Sequence, residues 1–78
     1  MNKSDILYGK YQHYKNHKLY EVIGVAFHTE TQEEMVIYKA LYSDDLFYYG
    51  QLWARPKKIF LEAVDYNGSS IPRFKKIE

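Results

Sequence analysis

A chain of 78 residues with eleven Lys and Arg against ten Asp and Glu carries a formal net charge of +1. That length makes one small domain, the near-neutral balance lacks the strongly basic signature of a general nucleic-acid binder, and the absence of cysteine excludes disulfides, thiolate metal sites and cysteine nucleophiles. Nine Tyr, four Phe and one Trp offset the small size, since each buried ring removes on the order of 150–250 Å² from water.

The first residues hold no apolar stretch of a secretion signal, and no run approaches the ~18 apolar residues of a membrane span. A cytoplasmic protein with no membrane association is expected, one domain over residues 1–78. Residues 1–7 read as a loose end or a single helical turn. From Tyr8 to Lys15 the text alternates: Tyr8, Lys10, Gln12 and Tyr14 fall on one side, Gly9, Tyr11 and His13 on the other. That is a strand signal. Asn16-His17-Lys18 is a short turn, so this strand should pair with the next.

Leu19 to Phe27 is apolar on both faces apart from Glu21. Its β-branched Val22, Ile23 and Val25 favour a strand, and Gly24 in its middle marks a bend or bulge. Such a strand should be covered on both sides over part of its length. The segment His28 to Glu34 is too long for a two-residue hairpin, and Thr29 or Thr31 is placed to cap a single helical turn there. Met35 to Tyr42 returns as a strand. Ser43 to Gly50 is a loop, acidic at its start and aromatic at its end. Gln51 to Arg55 is a short strand ended by Pro56, after which Pro56 to Phe60 reads as one helical turn. Leu61 to Tyr66 resumes as a strand. Asn67-Gly68 signals a type I′ hairpin, because that turn needs φ > 0 at both central residues. Ser69 to Ile77 is the last strand, made an edge by Pro72 and by Lys75-Lys76. The pattern predicts a mainly β protein: a small SH3-like barrel, or a strongly twisted antiparallel sheet, of five or six strands with one short helical turn.

The blocks Tyr11-x-His13-Tyr14-Lys15, Leu19-Tyr20-x-Val22-x-Gly24-x-Ala26-x-His28-x-Glu30-Thr31, Val36-x-Tyr38-x-Ala40-Leu41-Tyr42 and Trp53-x-Arg55-Pro56-x-x-x-Phe60-x-Glu62-x-Val64 resemble a small bacterial family known only as a domain of unknown function. The resemblance runs from about Tyr11 to Phe74. It departs at Ser43 to Gln51, which is longer and more aromatic than the family's short Gly/Asp-rich loop. It implies an SH3-like or related small β fold, found alone or as an appended domain, and no reaction.

Three histidines are candidate ligands. His13 and His28, on neighbouring predicted strands, could meet Glu30 around a metal or small ligand, but zinc needs three or four ligands in tight geometry and no such spacing is present. The plainer reading is that His28 caps its turn and His13 packs among Tyr rings with one nitrogen satisfied. No cofactor is expected. Ser4, Ser43, Ser69 and Ser70 sit in no nucleophile motif, and no phosphate-binding glycine loop is visible. An enzyme is not expected.

The most usable signal is aromatic residues interleaved with cations. Tyr, Trp and Arg are enriched at binding hot spots, although a domain this small needs most of its rings for its core. Arg55, between Trp53 and Pro56, is expected either to tie Glu62 or Glu30 or to read an anion with its donor fork. The expected function is a non-enzymatic interaction module that binds a protein or peptide through an aromatic face of Tyr14, Tyr38, Tyr42, Trp53 and Arg55, with His13, His28, Glu30 and Arg73 as further candidates. The alternative is nucleic-acid binding through the same rings plus Lys10, Lys15, Lys39, Lys57, Lys58, Arg73, Lys75 and Lys76.

Overall fold

A computed structural model describes residues 6–78 of the chain. Of the loose end expected over residues 1–7, residues 1–5 lie outside the described part, and Ile6 is no loose end: it is 6% exposed and belongs to the core. The elements are β1 (Gly9–His13), β2 (Leu19–Phe27), β3 (Glu34–Ala40), β4 (Leu52–Pro56), α1 (Lys57–Phe60), β5 (Ala63–Tyr66), β6 (Ser69–Pro72) and β7 (Phe74–Lys76). Five strands form one antiparallel sheet in the order β4-β3-β2-β1-β7, and β5 and β6 form a second, two-stranded sheet.

Of the two architectures the sequence leaves open, the twisted open sheet is the one formed. The barrel does not close, because β4 and β7, the edges of the main sheet, do not pair with each other. The chain leaves β4 through α1 and spends β5 and β6 on their own hairpin before β7 returns to β1. Side chains bridge the remaining gap. Phe60 of α1 stacks on Phe74 of β7 at 4.3 Å and 5°, and the Arg55 guanidinium of β4 lies 5.5 Å from the Phe74 ring centre. The single expected last strand is two, in different sheets, interrupted at Arg73.

The core lies on the concave face. Tyr11 faces Tyr20, Tyr20 faces Ala40, Val22 faces Tyr38, and Val36 lies beside Val25. With Phe60, Phe74 and Ile6 these residues make one cluster. Gly24 does its expected work: the register slips between Val22 and Gly24, leaving Ile23 as the extra residue of a bulge. The bulge lets Val22 and Val25 both point inward, although they are three residues apart and a regular strand would send them to opposite faces. Cover on both faces of β2 is not found. Its convex side is open, with Ala26 exposed and Ile23 44% exposed. Gly24 and Ala26 there expose little apolar area, so leaving them wet costs little.

The β2–β3 turn holds no helix. His28 accepts at Nδ1 from the N–H of Glu30 (3.2 Å) and of Thr31 (3.3 Å), so the imidazole caps its turn as its plainer reading expects, and neither Thr29 nor Thr31 caps a helical turn. Thr31 serves instead as acceptor for the Glu33 N–H at 3.2 Å. Asn67 and Gly68 take φ of 53° and 80°, the pair of positive values a type I′ turn requires.

The loop after β3 is pinned by Asp44. Its Oδ1 accepts from the N–H groups of Leu46 and Phe47, each at 2.9 Å, and its Oδ2 takes the Lys18 ammonium at 2.7 Å. Lys18 first, then these amides, hold the carboxyl at about 2, below its ordinary 3.8. A carboxyl whose pKa is depressed by folding stabilises the fold above its unfolded value and loses that contribution as pH falls toward its folded one. The Asp44 share is therefore present above about pH 4 and fades toward pH 2. An NMR titration of Lys18→Ala should show the Asp44 pKa moving back up toward 3.8; an unmoved titration would mean that the amides alone set it.

Candidate functional site

Alternation on β4 turns Trp53 and Arg55 to the concave side, across from Tyr38 and Val36 on β3. An arginine there must reach past the core to keep its charge hydrated. Arg55 does so half-buried: its Nε donates to the Tyr38 hydroxyl at 3.1 Å, and its guanidinium lies over Phe74. The expected tie to Glu62 or Glu30 is not made. Glu62 pairs with Arg73 at 2.8 Å, and Glu30 lies in the β2–β3 turn. Among the described residues, Arg55 enters no ion pair. Its terminal nitrogens meet no acceptor there, and the Trp53 indole N–H and Arg73 Nε–H are buried donors without a partner.

His13 stands across β1 from Phe74 on β7. Its ring meets Phe74 edge-on at 4.9 Å and stacks on Tyr14 at 5.1 Å, and its Nδ1 accepts the Lys15 N–H at 3.1 Å. This is the packed histidine with one satisfied nitrogen that the sequence suggests. Burial first, then the positive charges of Arg55, Arg73 and Lys15, push its pKa below 6.5. With Nδ1 accepting, the neutral ring carries its proton on Nε2.

Tyr38 is 3% exposed and is therefore a core ring that positions Arg55, not a contact surface. Tyr42 is half-buried: its hydroxyl lies 3.0 Å from that of Tyr20, and the Lys18 ammonium sits 4.4 Å above its ring. Burial, and then the Tyr20 hydroxyl, push the Tyr42 phenol well above its usual range. Trp53 is half-buried against Phe47, with ring centres 4.8 Å apart.

Tyr14 faces a different concavity, a cleft of about 420 Å³ between the end of β1 and the β5–β6 hairpin. Tyr66 meets Tyr14 edge-on across it at 5.9 Å, and Ile71, Pro72, Gln12, His13, His17 and Lys75 complete the lining. Sequence reasoning singled out Tyr14 and His13 but missed Tyr66, Ile71 and Pro72. The legible signal was the Asn67-Gly68 turn, which folds these three back together; that the hairpin would pack beside β1 was not legible.

Of the nine residues proposed from sequence, the structure sets His13, Tyr38 and Arg55 against Phe74, with Arg73 beside it in the chain, Tyr14 reached through His13, Tyr42 through Tyr20, and Trp53 across from Tyr38. His28 and Glu30 do not join them. They lie past the far end of β2, nine residues at ~3.3 Å each from the end beside His13. Among the described residues no three His, Asp or Glu side chains gather in a metal-binding arrangement, and no helix is long and apolar enough to cross a membrane.

No curated protein matches the chain. The crystal structure of a DUF1653 protein from Bordetella bronchiseptica is similar to it throughout: 33% identity, a TM-score of 0.81, and cover of 94% of this chain and 88% of that one. The family described as protein of unknown function (DUF1653) matches residues 9–76, from the first residue of β1 to the last of β7. The chain belongs to the DUF1653 family.

Proposed function

We infer that the domain is a non-enzymatic recognition module that binds a protein or peptide segment at Arg55 and the rings around it. One observation carries this reading: a half-buried guanidinium, stacked on Phe74 and held by the Tyr38 hydroxyl, with no carboxylate beside it among the described residues. Removing a charge from water without a counter-charge is costly, and a planar donor fork with free terminal nitrogens is suited to bidentate anion recognition. In this reading Arg55 is the anchor, Tyr42 and Trp53 form the rim, and Tyr38 fixes the guanidinium from beneath.

Nucleic acid is the weaker partner. Of the eight cations that reading would use, Lys10, Lys39, Lys57, Lys58 and Arg73 are already in ion pairs with Glu78, Glu21, Glu34, Glu33 and Glu62. That leaves little of the uncompensated charge on which phosphate-backbone binding depends.

Arg55→Ala leaves the buried Tyr38 hydroxyl without its donor and uncovers part of Phe74, so it should cost the fold about 1–3 kcal/mol, and it should abolish partner recovery in affinity capture from lysate. Trp53→Ala should weaken it. Circular dichroism and the urea midpoint identify folded variants; identical recovery by wild type and both folded variants would overturn the reading.

A further inference from the structure

We propose that the cleft between β1 and the β5–β6 hairpin, together with the Arg55 guanidinium, binds an apolar side chain with a carboxylate close beside it on a peptide. The assignment rests on the recognition reading above and names the chemistry of what is recognised.

Three observations carry it. The cleft has an aromatic and aliphatic lining in Tyr14, Tyr66, Ile71 and Pro72, and its volume of about 420 Å³ suits a single large side chain and its flanking backbone. Its one charged lining residue is a cation, Lys75, and no Asp or Glu lines it. A cationic peptide is disfavoured there and an anionic one attracted. Arg55 does not line the cleft but lies one ring away from it. His13 lines it, and the His13 ring touches Phe74, the ring beneath the guanidinium. One ring thus separates an apolar subsite from the Arg55 donor fork. The buried and unpartnered Arg73 Nε–H lies in the same chain segment, between Pro72 of the cleft and Phe74. The hollow of about 440 Å³ at Phe27, His28, Thr29 and Gln32 has comparable size, but a single turn and the end of β2 build it and no Lys or Arg lines it. It lacks the pairing of charge with apolar surface.

A peptide carboxylate has two sources, a free C-terminus or an Asp or Glu side chain. Three probes separate them in ¹H–¹⁵N NMR titrations: N-acetyl-phenylalanine, its amide, and acetyl-Asp-Phe-amide. The carboxylate probes should give saturable shifts at the Arg55 Nε–H and at the backbone amides of Tyr14 and Tyr66, with Kd on the order of 1 mM for ligands so small. The uncharged amide should bind roughly tenfold more weakly, as expected for the loss of one charge-assisted contact. If N-acetyl-phenylalanine binds the more tightly, the carboxylate is terminal; if acetyl-Asp-Phe-amide does, it is a side chain. Arg55→Gln should bring all three probes to the level of the amide, while Tyr66→Ala, on the exposed hairpin, should weaken all three alike. The bound carboxylate should also raise the His13 pKa, since it offsets the cations that now depress it. Equal binding of acid and amide, or no saturable shift, overturns the assignment. Lysate capture that depends on Arg55 alongside silent probes overturns this inference while the recognition reading stands.

Discussion

Phe60→Ala should remove a large part of the stability of the domain. Phe60 is 2% exposed and fills the gap that an unclosed sheet leaves between β4 and β7. It lies 5.3 Å from Tyr11 and 5.5 Å from Tyr38, both edge-on, and stacks on Phe74 at 4.3 Å. Truncating a buried phenylalanine costs about 3–5 kcal/mol, and the cost depends on how far the site can collapse. Collapse is hindered here, because Tyr11, Tyr38 and Phe74 are each fixed by a paired strand. The loss should therefore fall in the upper part of that range. At 0.05–0.15 kcal/mol per residue the whole domain has only about 4–12 kcal/mol to lose. Phe60→Leu keeps most of the volume and should cost below about 1.5 kcal/mol. Urea unfolding followed by Trp53 fluorescence and circular dichroism measures both. A loss under ~2 kcal/mol for the alanine variant would show that neighbouring rings can close the gap, contrary to the packing argument.

The strands were legible because their signals are local. β2 was read at Leu19–Phe27 and its bulge at Gly24, since β-branched residues and an interior glycine act through the backbone beside them. The Asn67-Gly68 turn was legible for the same reason. Closure of the sheet was not, because it depends on where the β5–β6 hairpin goes after α1, and no residue near the hairpin encodes that. The same limit governs the site. Tyr38 and Tyr42 look alike in sequence, both being tyrosines in or just after one strand. Their difference in burial comes from Phe74, over thirty residues later, whose ring meets Tyr38 at 5.5 Å. Arg55 was singled out in the sequence, but the partner it has is the Tyr38 hydroxyl, not the carboxylate expected for it. Glu62 was plausible until Arg73, brought next to it by the backbone bond from the Arg73 N–H to the Glu62 carbonyl at 3.1 Å, took the carboxylate.

Gly9→Ala should be the most damaging change that removes no side chain. Gly9 has φ of +134°, a backbone conformation L-residues rarely adopt. Forcing alanine into such a region costs of order 1–3 kcal/mol. A Cβ there would also collide with the Glu78 carbonyl oxygen, the acceptor of the Lys10 N–H at 2.9 Å. The C-terminal residue can relieve that clash only by lifting away. It then gives up the backbone bond, worth about 0.5–1.5 kcal/mol, and an exposed Lys10–Glu78 ion pair worth little. The total should be about 2–4 kcal/mol, a fall in Tm of roughly 10–25 °C for a domain of this size. Gly50 separates the two causes: its φ is +87°, but nothing lies within 4 Å of where its Cβ would stand. Gly50→Ala should therefore show strain alone, at about 1 kcal/mol. Deleting Glu78 completes the test. If the collision is real, the deletion should cost little in the Gly9→Ala background, because the contact it removes has already been lost, and the double-mutant cycle should show coupling of about 1 kcal/mol. Strict additivity would assign the whole effect to backbone strain at Gly9.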